Sequence, residues 1–184
     1  MPLADRLALA AVMAAALTAS DYSSAKRKID LIENEQATPG SRVVLTAREL
    51  VAYAARELPE GVRDPSLQLG ENSATGFAYI DFLKVRAAMG EAPPNALIAG
   101  LLEGERPVRV TAHMTSADGH ATIDVDSVEI SGVALTGRTL DFMIKYFLIP
   151  NYPDAKIGEP FQLHHHVDHL EVRPAGVTVF ISGP

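Results

Sequence analysis

Cysteine is absent from all 184 residues, which excludes disulfides and removes the residue that a lipoprotein acyl anchor requires. Any fold is therefore held by its core alone. Basic charge is also scarce, with 16 Lys and Arg against 23 Asp and Glu for a formal charge of -7. Recognition of nucleic acid needs a basic surface to neutralise phosphates, and strong attachment to anionic lipid headgroups needs one too, so both are disfavoured. Walker, Rossmann and nucleophile-elbow spacings are missing; Gly70, Gly76, Gly132 and Gly137 stand alone and fit bends or bulges in strands. That leaves no cofactor motif and no catalytic signature, and the chain reads as a non-enzyme. It contains no low-complexity segment and no internal repeat.

Apolar residues make up 47% of the chain and charged residues only 21%. For a small soluble protein this is an apolar balance, which points to an internal apolar cavity or to exposed apolar surface. Arg6 is followed by an apolar run, Leu7 to Ala19, broken only by Thr18. The run is too short to span a bilayer comfortably, and Ala16, Thr18, Ala19 and Ser20 offer small residues for cleavage, so residues 1–20 read as a secretory signal peptide. The alternative is a buried N-terminal helix. Residues 21–184 are of ordinary single-domain length, and the expected location is periplasmic or secreted.

The clearest pattern lies between Val108 and Leu135. Val108, Val110, Ala112 and Met114 alternate with Arg109, Thr111, His113 and Thr115, the period of a strand with one buried face. Asp118-Gly119 supplies a type I′ turn, and counting outward from it pairs Met114 with Ile123, Ala112 with Val125 and His113 with Asp124. Apolar meets apolar and polar meets polar. Beyond Val125 the phase reverses, with Val128, Ile130, Val133 and Leu135 apolar, which predicts a β-bulge near Asp126-Ser127.

Elsewhere, Ala25, Ile29 and Ile32 predict a helix from Ser24 to Gln36 that carries little apolar surface, with Ser23 or Ser24 as its cap. Arg42 to Leu45 reads as a strand running into Thr46-Ala47-Arg48-Glu49, a capping box. The helix that follows carries Ala47, Leu50, Val51, Ala54 and Leu58 on one stripe. Residues 59–65 read as a connection, Ser66 to Leu69 and Phe77 to Ile80 as strands closed by a turn over Glu71 to Gly76, and Phe82 to Met89 as a short helix. A further helical stretch is expected from Ala96 to Glu103. Gly137 to Ile149 is the most apolar helix, and Val177, Val179 and Ile181 form a last strand after a turn at Arg173 to Gly176.

His164, His165, His166 and His169 invite a metal reading, since imidazole is a common transition-metal ligand. Period-two geometry separates them, however: in a strand His164 and His166, with Asp168, face one way while His165 and His169 face the other. No metal site is expected. His113 opposite Asp124, with His120 in the turn, reads as a solvated cross-strand pair rather than an acid–base dyad.

The export signal, the helix start Leu45-Thr46-Ala47-Arg48-Glu49-Leu50, the long bent strands and one very apolar helix together resemble small bacterial envelope proteins of the tubular lipid-binding (TULIP-like) type. That resemblance covers 41–182 and implies an α+β fold in which a highly curved antiparallel sheet of long strands wraps around an apolar helix, with additional short helices. It also implies an apolar groove for a lipid-like small molecule. The expected ligand-binding residues are Val110, Ala112, Met114, Ile123 and Val125 on the sheet and Leu140, Met143, Ile144 and Phe147 on the 138–149 helix. The competing expectation is an envelope assembly protein with a filled core that forms a homodimer or docks a partner. Neither reading needs a cofactor, and neither makes the chain an integral membrane protein once the signal is removed.

Overall fold

The computed structural model describes residues 19–88, 90, 103–135, 137, 138, 140 and 157–183. In chain order the described elements begin with helix α1 (residues 19–33), β1 (Arg42–Thr46), α2 (Ala47–Glu57), β2 (Val62–Leu69), β3 (Ser73–Asp81) and α3 (Phe82–Ala88). They continue with β4 (Glu105–Ala117), β5 (His120–Ile130), β6 (Val133–Leu135), β7 (Phe161–Gln162), β8 (Val167–Arg173) and β9 (Gly176–Ile181). The stretch expected to be helical from Ala96, and most of the Gly137 to Ile149 helix, lie outside the described residues. So do residues 1–18 of the expected signal peptide.

The central hairpin forms as its alternation requires. β4 and β5 pair antiparallel with Met114 against Ile123, Ala112 against Val125 and His113 against Asp124. Asp118 and Gly119 take φ of 50° and 72°, the positive values that both central residues of a type I′ turn need. The register shifts between Thr111 and Ala112, leaving Asp126 without a partner on β4, and this is the bulge that the phase reversal predicts. The 128–135 stretch is not one strand, though. Ser131 and Gly132, at φ of 52° and 80°, turn the chain again and bring Val133 opposite Ile130.

These strands belong to a six-stranded sheet, ordered β2-β3-β4-β5-β6 with β7 also on β5; a three-stranded sheet has the order β1-β9-β8. The fold is α+β, with antiparallel ladders throughout both sheets. Two expectations near the first hairpin are corrected. β2 begins at Val62 and runs through Pro65, because an edge strand tolerates a residue without an N–H, and Asp64 (φ 50°) bulges there. The turn closes at Gly70 to Ser73, with Asn72 at φ 52°, so Gly76 lies well inside β3.

Among the described residues, a buried cluster lies on the small sheet. Val43 and Leu45 of β1, Val179 and Ile181 of β9 and Val167 of β8 pack together with Ala25 of α1. Ile29 and Ile32 of α1 add to it, so this helix is a core element rather than one with little apolar surface. Ala25 is 0% exposed; its small side chain lets α1 sit close against the sheet. The helix ends at Glu35 (φ 55°), where Gln36 N–H bonds Leu31 O and Glu35 N–H bonds Ile32 O in a Schellman pattern. Backbone bonds tie the two sheets together: Asn72 N–H donates to Val172 O at 3.0 Å and Gly119 N–H to Asp168 O at 2.7 Å.

Candidate functional site: an apolar cavity between α2 and the six-stranded sheet

Helix α2 has two different faces, and the site follows from that division. Its capping box is complete: Glu49 N–H donates to Thr46 Oγ1 at 3.2 Å and Thr46 N–H to Glu49 Oε2 at 2.8 Å. Glu49 does more than cap. It is 5% exposed, and its Oε1 accepts hydrogen bonds from Ser24 Oγ and Lys28 Nζ of α1, both at 2.6 Å. Ser24 is thus a partner for Glu49 and not the cap of its own helix. Burial pushes the carboxyl pKa up, but the bonds from Lys28, Ser24 and Thr46 prevail and hold it at about 2. Beside this anchor, Tyr22 of α1 stacks on Tyr53 with ring centroids 6.1 Å apart.

The opposite stripe of α2 is the one read from sequence, and it stands over the sheet. Leu50, Val51, Ala54 and Leu58 roof a cavity of about 310 Å³. The floor is built from rows of paired residues, Leu67–Gly76–Val110 and Ala78–Val108, with Val62 paired to Ile80 beyond them. Pro65, Ser66 and Phe77 also border it, Ser66 being the one polar residue among the described lining residues; Ser66 and Phe77 pair with each other in the row between, on the alternate face of the ladder. Apolar residues gather here because pairing puts every second residue of β2, β3 and β4 on the side that α2 covers. The other side of the ladder is wet: Thr75 and Thr111 share a hydrogen bond of 3.0 Å, and Arg63 stacks 4.6 Å over Tyr79 while bonding Glu105.

Of the residues expected to bind a ligand, Val110 lines the cavity. Ala112, Met114, Ile123 and Val125 share its face of the sheet, nearer the Asp118-Gly119 turn, and are half-buried without lining the cavity. Leu140 is half-buried. Met143, Ile144 and Phe147 lie outside the described residues, and with them the expected wrapping of the sheet around the 138–149 helix. Sequence reasoning found the α2 stripe but did not assign it to the site. Of the floor, the sequence marks Val110 but not Gly76, because the run from Glu71 to Gly76 reads as a turn.

The histidines sit differently from the expected strand. Val167 N–H donates to His164 O at 3.1 Å, and His165 and His166 both have φ of 57°, which makes 164–167 a tight turn. His166 Nε2 lies 3.4 Å from Glu35 Oε2 and His165 Nδ1 3.9 Å from Glu35 Oε1, all three side chains being exposed. Among the described residues no three His, Asp or Glu side chains form a group able to hold a metal ion. His113 pairs with Asp126, the bulged residue, rather than with Asp124 across the ladder. Among the same residues no helix is long and apolar enough to cross a membrane. Compared with protein-family models, curated proteins and solved structures, the chain matches none of them.

Proposed function

We propose that this chain is a non-catalytic binding module that holds an apolar, lipid-like molecule between α2 and strands β2, β3 and β4. The observation that carries the reading is the cavity of about 310 Å³, in whose lining Ser66 is the one polar residue among the described residues. Ligand pockets begin at about 300 Å³ and are mostly apolar, with few polar groups to fix orientation. Here affinity comes from burial, at about 25 cal/mol per Å² of apolar surface before the costs of association. A helix laid over the apolar face of an antiparallel sheet is also what supports the likeness to tubular lipid-binding proteins. The apolar run from Leu7 to Ala19 supports a secreted or periplasmic location.

The test is to purify the chain without detergent and compare native and denaturing mass spectra, with organic extraction of the same sample. An apolar molecule released on denaturation, and lost when Val110→Asp puts a charge in the cavity, is the expected result. A chain that carries no such molecule and takes up no apolar dye leaves the reading without support. The second reading, an assembly protein that dimerises or docks a partner, is favoured by Val133 at the outer strand β6, which is 62% exposed. Light scattering that gives a dimer dissociated by Val133→Lys is its signature.

A further inference from the structure

Gly76 occupies a place where neither of the usual reasons for glycine applies. It lies in the interior of β3, continuously paired with β2 and β4, and is not among the glycines with positive φ. A Cβ built on it meets nothing within 4 Å. Two other glycines of the chain show what a constrained position looks like: a Cβ on Gly61 comes within 2.8 Å of Lys84 Cβ, and one on Gly176 within 2.4 Å of Leu45 O. Glycine inside a strand gives up packing and adds to the entropy lost on folding. What Gly76 provides in return is space, and that space is the floor of the cavity.

The shape of the space restricts what fits. Leu67, Gly76 and Val110 form one row across three strands, and all three line the cavity. Adjacent strands are about 4.8 Å apart, so the Leu67 and Val110 backbones stand about 9.6 Å apart, with their side chains projecting beside the gap. Between those side chains there is width for one extended hydrocarbon chain and not for a fused ring system. Ala78 continues the floor along β3, Ile80 is the first large side chain on it, and Ala54 of α2 stands among the roof residues. With Ser66 as the one polar residue among the described lining residues, the part of the ligand held there carries no charge.

We infer that the cavity accepts a single linear hydrocarbon chain lying along β3 over Gly76, and that Gly76 is the residue that sets this specificity. The inference rests on the apolar-ligand reading above and narrows it to acyl-like chains over sterols and other fused rings.

The whole chain, purified without detergent, is titrated by fluorescence with cis-parinaric acid, a linear polyene fatty acid, with dehydroergosterol, a fused-ring sterol, and with Nile red. The expected result is binding of parinaric acid and not of dehydroergosterol. Gly76→Val is expected to weaken parinaric acid at least about 10-fold while the melting temperature stays level or rises by about 1–4 °C, since a β-branched residue suits the strand. Gly76→Ala, the smaller change, gives an intermediate loss if the Val variant does not fold. Gln68→Val, on the opposite face of the sheet, leaves binding unchanged. Equal binding of the sterol, or undiminished parinaric binding by a folded Gly76→Val chain, overturns the inference while the apolar-ligand reading stands. A wild-type chain that binds none of the three probes overturns that reading and the inference with it.

Discussion

Glu49 closes the N-terminus of α2 and also accepts hydrogen bonds from Ser24 and Lys28, residues 25 and 21 positions earlier in the chain. A carboxylate that is 5% exposed is stable only when its charge is matched, and Lys28 supplies the match. Its folded-state pKa of about 2 lies below the ordinary 4.5. The stabilisation is therefore complete above about pH 4.5 and is lost as the pH falls through about 2. At about 1.4 kcal/mol per unit of pKa, the linkage is worth about 3 kcal/mol. Glu49→Gln is expected to lower stability by that amount near neutral pH and by far less near pH 2, as measured by urea unfolding at both. A deficit of the same size in acid would mean that the charge is not the cause.

Among the elements, the turn at His164 to Val167 shows where a pattern of alternation misleads. Gly, Asn and Asp are the residues that favour positive φ, and none of them stands at 165 or 166, so nothing in the sequence marks a turn there. Two histidines nonetheless take the left-handed conformation, at a cost of about 1 kcal/mol or more each relative to glycine. Replacing His165-His166 by Asn-Gly, the favoured type I′ pair, is expected to stabilise the protein by about 1 kcal/mol. The variant also removes the contacts of His165 and His166 to Glu35, which are exposed and contribute little, so the backbone effect prevails. A lower melting temperature for the variant would mean that the histidines contribute contacts outweighing their strain. β2 went partly unread for a similar reason, since Pro65 looks like a strand terminator until its place on the sheet edge is known.

At the scale of the whole molecule, the two sheets share their hydrogen bonding. Met114 N–H donates to Asn72 O, Asn72 N–H to Val172 O and Gly119 N–H to Asp168 O, while Leu170 N–H donates to Ser116 Oγ at 3.0 Å. α2 meets the small-sheet core through Leu50 and Tyr53 and roofs the large sheet's cavity through Val51, Ala54 and Leu58. With so many shared groups, the described elements are expected to unfold in one transition, with calorimetric and van't Hoff enthalpies equal. Ser116→Ala is expected to lower the midpoint by the equivalent of about 1 kcal/mol without splitting the transition. Two resolved transitions would show that the sheets are independent units.

The sequence by itself determined the features that depend on near neighbours. The β4–β5 register, its Asp118-Gly119 turn, the bulge at Asp126 and the Thr46–Glu49 capping box all follow from alternation or from residues a few positions apart. The apolar stripe of α2 was legible in the same way, because helical spacing alone defines it. Only the tertiary structure decided what that stripe faces, that α1 is a core helix, and that Glu49 is buried beneath Lys28. It also decided the role of Gly76. A glycine reads alike in sequence whether it bends the chain or leaves a space, because the difference lies in Leu67, Val110 and Ala54, which are distant in the chain and are brought around it only by strand pairing and by the seating of α2.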